Sequence, residues 1–237
     1  MRLIAHRGAS GLFPENTLTA FRAALDMGAG AMECDVQLSR DGRLVVIHDL
    51  TLERLCGKAV PVRKLDYSEL ARLDAGAWLA PRFKGERIPA LERLLELVPP
   101  GVELHVEVKQ PPRPYAGIEE RLVDALRARP RRPEGLVVSS FSAPTLVRLR
   151  RLDGALRLAF LVGKASRPAA VSLARRARCE AWHLSRRRCG PAWLRAAARE
   201  GLKVRVYTVN DRSEAARLAE EGVEAVFTDY PDLERRR

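Results

Sequence analysis

The sequence predicts an α/β fold of the (β/α)8 barrel type, on three observations. Short apolar or β-branched runs alternate with amphipathic helical patterns, and eight such units can be counted. Most of the runs are apolar at consecutive positions, as strands covered on both sides require. A length of 237 residues suits eight units closed into one barrel. An open doubly wound sheet is the competing arrangement, but no GxGxxG turn recommends it.

Strands are predicted over 2–6 (RLIAH), 31–38 (AMECDVQL), 102–109 (VELHVEVK), 135–141 (GLVVSSF), 156–162 (LRLAFLV), 180–184 (EAWHL), 203–209 (KVRVYTV) and 224–229 (EAVFTD). Helices are predicted over 16–28, about 90–98, 115–128, 142–152, 168–177, 191–200 and 211–221. Pro14 ahead of Asn16 reads as a helix start with Asn16 as N-cap, and DRSE at 211–214 has the form of a capping box. Gly28, Gly201 and Gly222 stand where the chain leaves a helix.

One unit breaks the rhythm. After ECDVQL come SRDGR and a second strand-like run, LVVIHD at 44–49. Asp-Gly is a strong signal for a two-residue hairpin turn. With Asp41 and Gly42 at its centre, the hairpin sets His48 directly opposite Asp35, with Cβ atoms roughly 5 Å apart. Residues 50–88 are rich in Pro and Gly and poor in periodicity, and read as a small inserted cap.

Composition narrows the function classes. Hydrophobic content of 46% with 30% charge is ordinary for a soluble globular chain. No stretch approaches the ~20 apolar residues of a membrane span, so stable membrane insertion is not expected. The start MRLIAHRG turns polar too soon for a signal peptide, which favours a cytoplasmic location. Cys34, Cys56, Cys179 and Cys189 lack the spacing of a zinc site or a disulfide framework. The net charge of +12 invites a nucleic-acid partner. However, the arginines are dispersed through Ala- and Leu-rich helical segments, and aromatics make up only 5% of the chain, so nucleic acid is not the expected partner. A positive field still helps to attract a small anionic substrate.

Strand alternation collects the chemistry. Glu33 and Asp35 share one face of their strand. Glu107 and Lys109 share a face of theirs, with His105 one layer lower. Carboxylates on buried strands need partners. At the C-terminal ends of barrel strands, Glu33, Asp35 and Glu107 make an all-oxygen set suited to one hard divalent cation, magnesium or calcium. The alternative is an ion-pair network with Arg7 and Lys109. His6 and His48 converge on the same end as a candidate general acid and general base. Arg7 and Lys109 add fixed positive charge of the kind that holds a phosphate. His183 alternates with Trp182, so one of the two faces inward; His183 is read as structural. Phe13, Phe141 and Trp78 are candidates for an apolar rim.

The segments HRGASGLFPENTLTAF, ECDVQLSRDGRLVVIHD, IPALERLLELV, HVEVK, SSF, VYTVN and GVEAVFTDYP, in that order, resemble the motifs of the glycerophosphodiester phosphodiesterase family, from residue 6 to about 231. The resemblance implies a TIM barrel with a small insertion, here residues 1–237 as a single catalytic domain carrying the 50–88 cap. It implies hydrolysis of glycerophosphodiesters to sn-glycerol 3-phosphate and an alcohol, with one divalent metal ion, manganese being a third candidate. Its metal ligands fall on Glu33, Asp35 and Glu107, its catalytic histidines on His6 and His48, and its phosphate contacts on Arg7 and Lys109. The family often has Asn at His105 and Trp at Tyr207; Tyr207 keeps an aromatic wall for the substrate and adds a hydroxyl. A lipid substrate, as in lysophospholipase D or sphingomyelinase D-like barrels, is the rival reading. A non-catalytic anion or nucleic-acid binder is a distant third.

Overall fold

The computed structural model describes residues 1–128 and 135–235. Eight of the apolar runs close on themselves as strands of one barrel. The strands are β1 (Arg2–His6), β2 (Ala31–Leu38), β3 (Leu44–Val46), β4 (Thr51–Leu52), β5 (Lys58–Pro61), β6 (Glu103–Val108), β7 (Val137–Ser140), β8 (Arg157–Leu161), β9 (Ala181–Ser185), β10 (Lys203–Tyr207) and β11 (Ala225–Thr228). Eight of them run parallel in the order β1-β11-β10-β9-β8-β7-β6-β2, and β1 pairs with β2 to close a TIM barrel. The helices are α1 (Leu18–Asp26), α2 (Glu53–Cys56), α3 (Tyr67–Leu70), α4 (Leu91–Leu97), α5 (Ile118–Arg127), α6 (Ala143–Leu152), α7 (Arg167–Ala177), α8 (Pro191–Arg199) and α9 (Arg212–Glu220).

Alternation along the strands divides the core in two. Outward residues such as Cys34, Val36, Val106, Val138, Phe160 and Trp182 pack against Phe21, Leu94, Leu122, Leu146 and Leu173 of the helices in one continuous apolar layer. Inside the barrel, Ala31, Ala159, Ala181 and Ala225 leave room for larger polar groups. Arg205 uses that room and is 1% exposed. Its Nε donates to Glu224 (2.6 Å) and its second terminal nitrogen to Glu180 (2.9 Å), at the N-terminal ends of the strands. Glu103 joins them, held by Arg2 (2.6 Å) and by His105 Nε2 (2.7 Å). His105 therefore belongs to a lower layer of the barrel, as expected from its place on β6.

Two local expectations need correcting. The β2–β3 pairing is Val36↔Val46, Gln37↔Val45 and Leu38↔Leu44, one residue away from the predicted register. Gly42 takes φ 77° while Asp41 does not enter the left-handed region, so the loop is a three-residue turn ending in glycine. Ile47, not His48, lies opposite Asp35, and its N–H donates to the Asp35 carbonyl at 3.0 Å. Likewise Thr17, not Asn16, caps α1: its hydroxyl accepts from the Ala20 N–H, and the helix starts at Leu18. At 211–214, Asp211 does cap α9, but the Glu214 carboxylate turns to Arg186 (3.1 Å).

Residues 50–88 carry α2, α3 and the β4–β5 pair. Leu52, Leu55, Val62, Leu70, Ala75 and Ile88 form a second apolar cluster, which reaches the barrel through Val45 and Ile47. Among the described residues, no helix is long and apolar enough to cross a membrane.

The lower charge layer makes stability depend on pH. Burial alone raises the Glu103 carboxyl, but the His105 hydrogen bond and the Arg205 and Arg157 charges outweigh it and bring it down to about 2. A carboxyl depressed in the fold contributes stability above its unfolded value, near 4.5, and that contribution is lost as pH falls towards 2. Glu103→Gln is expected to cost about 2 kcal/mol at pH 7, because hydrogen bonds to charged groups are lost while Arg205 keeps its other partners. In thermal melts, the gap between variant and wild type should close progressively below about pH 4.5.

Candidate active site

The site begins where β1 stops. Beyond His6 the chain takes left-handed backbone twice, at Arg7 (φ 58°) and Gly8 (φ 81°). A Cβ on Gly8 would lie 2.6 Å from the Ala20 carbonyl carbon, so only glycine lets α1 approach this closely. The turn aims the Arg7 N–H at Glu33, donating to its backbone carbonyl (3.0 Å) and its carboxylate Oε2 (3.1 Å). His6 is held through Nδ1, 2.7 Å from Asp229 Oδ1, which also accepts from the Ser10 hydroxyl at 3.0 Å. Asp229 follows the last strand. Burial would raise its carboxyl, but the His6 contact and the Asn210 and Ser10 hydrogen bonds hold it at about 2.

Register then assembles the acids. His6 stands beside Glu33 across β1 and β2, and Asp35 beside Glu107 across β2 and β6. One carboxylate oxygen from each of Glu33, Asp35 and Glu107 lies within 4.8 Å of the others, and all three residues are buried. Lys109 Nζ is 3.0 Å from Asp35 Oδ1 and 2.7 Å from Glu107 Oε1. Arg7 Nε is 3.1 Å from Asp35 Oδ2, and another guanidinium nitrogen donates to Glu15 at 2.9 Å. Asn16, freed from capping, is 2% exposed in left-handed backbone. Its Nδ2 donates to Asp35 Oδ2 (2.9 Å) and its Oδ1 accepts the Asp35 N–H (3.3 Å).

These charges compete. Burial, reinforced by the Asp35 and Glu107 charges, raises the Glu33 carboxyl well above its ordinary value. Burial likewise pushes Glu107 up to about 7, with Lys109 working against the rise and Asp35 adding to it. For Asp35 burial is overcome by Lys109 and Arg7, which hold it well below the usual carboxylate range. The ion-pair network foreseen as an alternative is thus present, yet two cations face three acids and one of them is shared with Glu15. Asp35 Oδ1 and Glu107 Oε1 are buried and both face the single Lys109 ammonium. A buried all-oxygen set with surplus negative charge fits a hard divalent cation.

His48 arrives by a different route from the one predicted, on the loop after β3 instead of in the ladder. Its Nδ1 is 2.7 Å from Asp49 Oδ1. Asp49 accepts from Arg54 Nε (2.6 Å), and the Arg54 terminal nitrogens both reach Glu15 (2.9 and 2.8 Å). Arg54 belongs to α2, so the 50–88 segment buttresses both the Arg7 and the His48 side of the site. Burial lowers the His48 imidazole, with Asp35 pulling the other way.

His6, Arg7, Glu33, His48, Glu107 and Lys109 line one cavity of about 130 Å3, so the structure brings these candidates together. Asp35 lies beneath them, 1% exposed. Tyr207 and Phe141 form an aromatic wall, edge to face at 6.4 Å. Burial pushes the Tyr207 phenol up to about 12, so its hydroxyl keeps its proton at neutral pH. His183 faces inward and lines the cavity, while Trp182 is buried in the outer layer. An adjoining groove of about 680 Å3 shares His48, Lys109 and Phe141. Phe13 packs on Phe83 (5.6 Å), and Trp78 lies under Arg54 at 5.3 Å. Sequence reasoning missed Asp229, Asp49, Glu15 and Arg54. Asp229 and Asp49 left the same signal, an acid at the end of an apolar strand-like run.

A family profile described as the glycerophosphoryl diester phosphodiesterase family matches residues 6–233. YhdW of Bacillus subtilis strain 168 is 36% identical over 239 residues, which cover 98% of this chain and 96% of that protein. A glycerophosphodiester phosphodiesterase of Caldanaerobacter subterraneus subsp. tengcongensis is 32% identical over 245 residues, 97% of this chain and 94% of its own. Among solved structures, a phosphodiesterase of Oleispira antarctica in complex with its product sn-glycerol-3-phosphate superposes with a TM-score of 0.86 at 31% identity, covering 98% of this chain and 94% of that one. With the barrel, the order of its motifs and these relatives in agreement, the chain belongs to the glycerophosphoryl diester phosphodiesterase family.

Proposed function

We propose that this chain hydrolyses glycerophosphodiesters, such as glycerophosphocholine and glycerophosphoethanolamine, to sn-glycerol 3-phosphate and an alcohol, with His6 and His48 as its acid–base pair. One observation carries the reading. Two imidazoles line the same cavity as Glu33 and Glu107, and each is held through Nδ1 by its own carboxylate. That contact fixes the proton on Nδ1 and leaves Nε2 for chemistry. One Nε2 accepts the proton of the attacking oxygen while the other, protonated, delivers a proton to the leaving alcohol. The attacking group is either the glycerol 2-hydroxyl, giving a cyclic phosphate that water then opens, or water itself; both routes use the same pair.

Glu33, Asp35 and Glu107 would hold one divalent cation, magnesium, calcium or manganese. When bound, it supplies positive charge that offsets the charge of the phosphodiester. Arg7 and Lys109 add two fixed cations for the phosphoryl oxygens. The Tyr207 ring offers a flat wall to the glycerol or the leaving group. The Oleispira relative, with sn-glycerol-3-phosphate as its product, supports the same chemistry for this chain.

A second reading has an observation of its own. Leu50, Trp78, Leu79 and Phe141 are large apolar side chains left exposed, and Leu50 and Phe141 line the groove next to His48. Such a rim suits an acyl chain, as in a lysophospholipid. The polar sequence of the 50–88 segment, RKLDYSELARLD and APRFKGER, favours the soluble diester.

His6→Ala and His48→Ala should each lower kcat on glycerophosphocholine by about 10²–10⁴-fold, with melting temperatures close to wild type. Chelation should abolish turnover reversibly, with magnesium, manganese and calcium tested in parallel for recovery; full activity in excess chelator contradicts the metal assignment. Glycerophosphocholine should be turned over at least about tenfold faster than lysophosphatidylcholine, measured as kcat/KM, and the reverse order establishes the lipid reading.

A further inference from the structure

Gln37 lies two residues beyond Asp35 on β2, on the face that carries Glu33 and Asp35, and is fully buried. Its Nε2 is 2.9 Å from the carbonyl oxygen of Ile47, 3.0 Å from that of His48 and 2.8 Å from that of Asp49. Successive carbonyls of a strand point to opposite sides. Three that converge on one nitrogen mark a turn that must be held. Carbonyls only accept, so the amide end facing them is the NH2, and its two hydrogens are fully committed to three acceptors. The amide oxygen must then face away, and there the Tyr115 hydroxyl donates to it at 2.8 Å. Tyr115 stands on the loop between β6 and α5. Its N–H donates to Gln110 Oε1 (2.9 Å), and Gln110 Nε2 donates to Thr145 Oγ1 (2.9 Å) and Glu119 Oε1 (3.2 Å).

We propose that Gln37 and Tyr115 are positioning residues: Gln37 clamps the His48 loop to the strand that bears Glu33 and Asp35, and Tyr115 fixes the orientation of the clamping amide. The inference rests on the reading of His48 as an acid–base group. The β3 ladder ends at Val46 and its last bond to β2 comes from the Ile47 N–H, so the ladder stops one residue short of His48. The clamp replaces it, referencing the imidazole to the same strand as two of the acids. Burial pushes the Tyr115 phenol up to about 12, which keeps it a donor across the working range. A loose His48 loop costs turnover far more than binding, since errors of about 1 Å in a reacting group can cost 10²-fold.

The test uses the whole chain as wild type, Tyr115→Phe and Gln37→Leu. Two readouts are taken: kcat and KM for glycerophosphocholine at saturating magnesium, and amide hydrogen exchange of the peptide spanning 44–52. Tyr115→Phe should lower kcat about tenfold with KM within about twofold, a selective loss in the catalytic step. It should also speed exchange in 44–52 while β6, β7 and β8 stay protected. Gln37→Leu should enlarge both effects; if it does not fold, Tyr115→Phe decides alone. Unchanged kcat and unchanged exchange in Tyr115→Phe overturn the proposal, as does a kcat loss accompanied by faster exchange throughout the barrel. If the wild type does not hydrolyse glycerophosphocholine, the functional reading fails, and local exchange in 44–52 still decides whether the clamp exists.

Discussion

Three carboxylates from two neighbouring strands lie buried with oxygens within 4.8 Å of one another, and the upper half of the barrel is arranged around the resulting charge. An unpaired buried ion costs several kcal/mol even after relaxation. Here the compensation is close but incomplete. Lys109 bridges two of the acids, Arg7 meets one through its side chain and another through its backbone N–H, and Asn16 gives Asp35 both a donor and an acceptor. Burial, with repulsion from the neighbouring acids added to it, raises the carboxyls of Glu33 and Glu107. These buried oxygen donors could hold a metal ion.

The same barrel solves the opposite problem at its other end. There Arg205 is the buried ion, with Glu180 and Glu224 bonded to it and Glu103 at 4.0 Å. Arg205 Nη1 is buried without a hydrogen-bond partner, but the ions of this network are paired with one another, away from the cavity that His6 and His48 line. The His105, His183 and Phe227 rings lie between the two layers, with centroids 4.9–5.7 Å apart. Charge thus occupies both ends of the interior, but the upper set has more acids than cations and opens into the cavity that His6 and His48 line.

The inserted segment gives the upper layer its outer support. Arg54 reaches Asp49 and Glu15, which in turn hold His48 and Arg7. An apolar cluster as small as that of residues 50–88 gains its stability by packing on Val45 and Ile47, immediately before His48. Packing of the insertion and placement of the His48 loop therefore rest on the same residues. The insertion is not an ornament on the barrel.

The alternation of strand and helix, the inward face of Glu33, Asp35 and Glu107, and the assembly of His6, Arg7 and Lys109 at one end were all determined by the sequence. A period-two strand and a parallel barrel leave little freedom in where such residues point. The hairpin register was not legible, because Asp-Gly fits both a two-residue turn and a three-residue turn with glycine last, and the choice depends on how the strands meet their neighbours. Asn16 was misread for a related reason: Asn is equally at home as a helix cap and in left-handed backbone, and only the proximity of Asp35 selects the second. Asp229, Asp49, Glu15, Arg54 and the Gln37 amide act across separations of chain that no local pattern records. The tertiary structure decided their roles, because a hydrogen bond is specified by distance and direction in space, and closing the barrel brings those partners within reach.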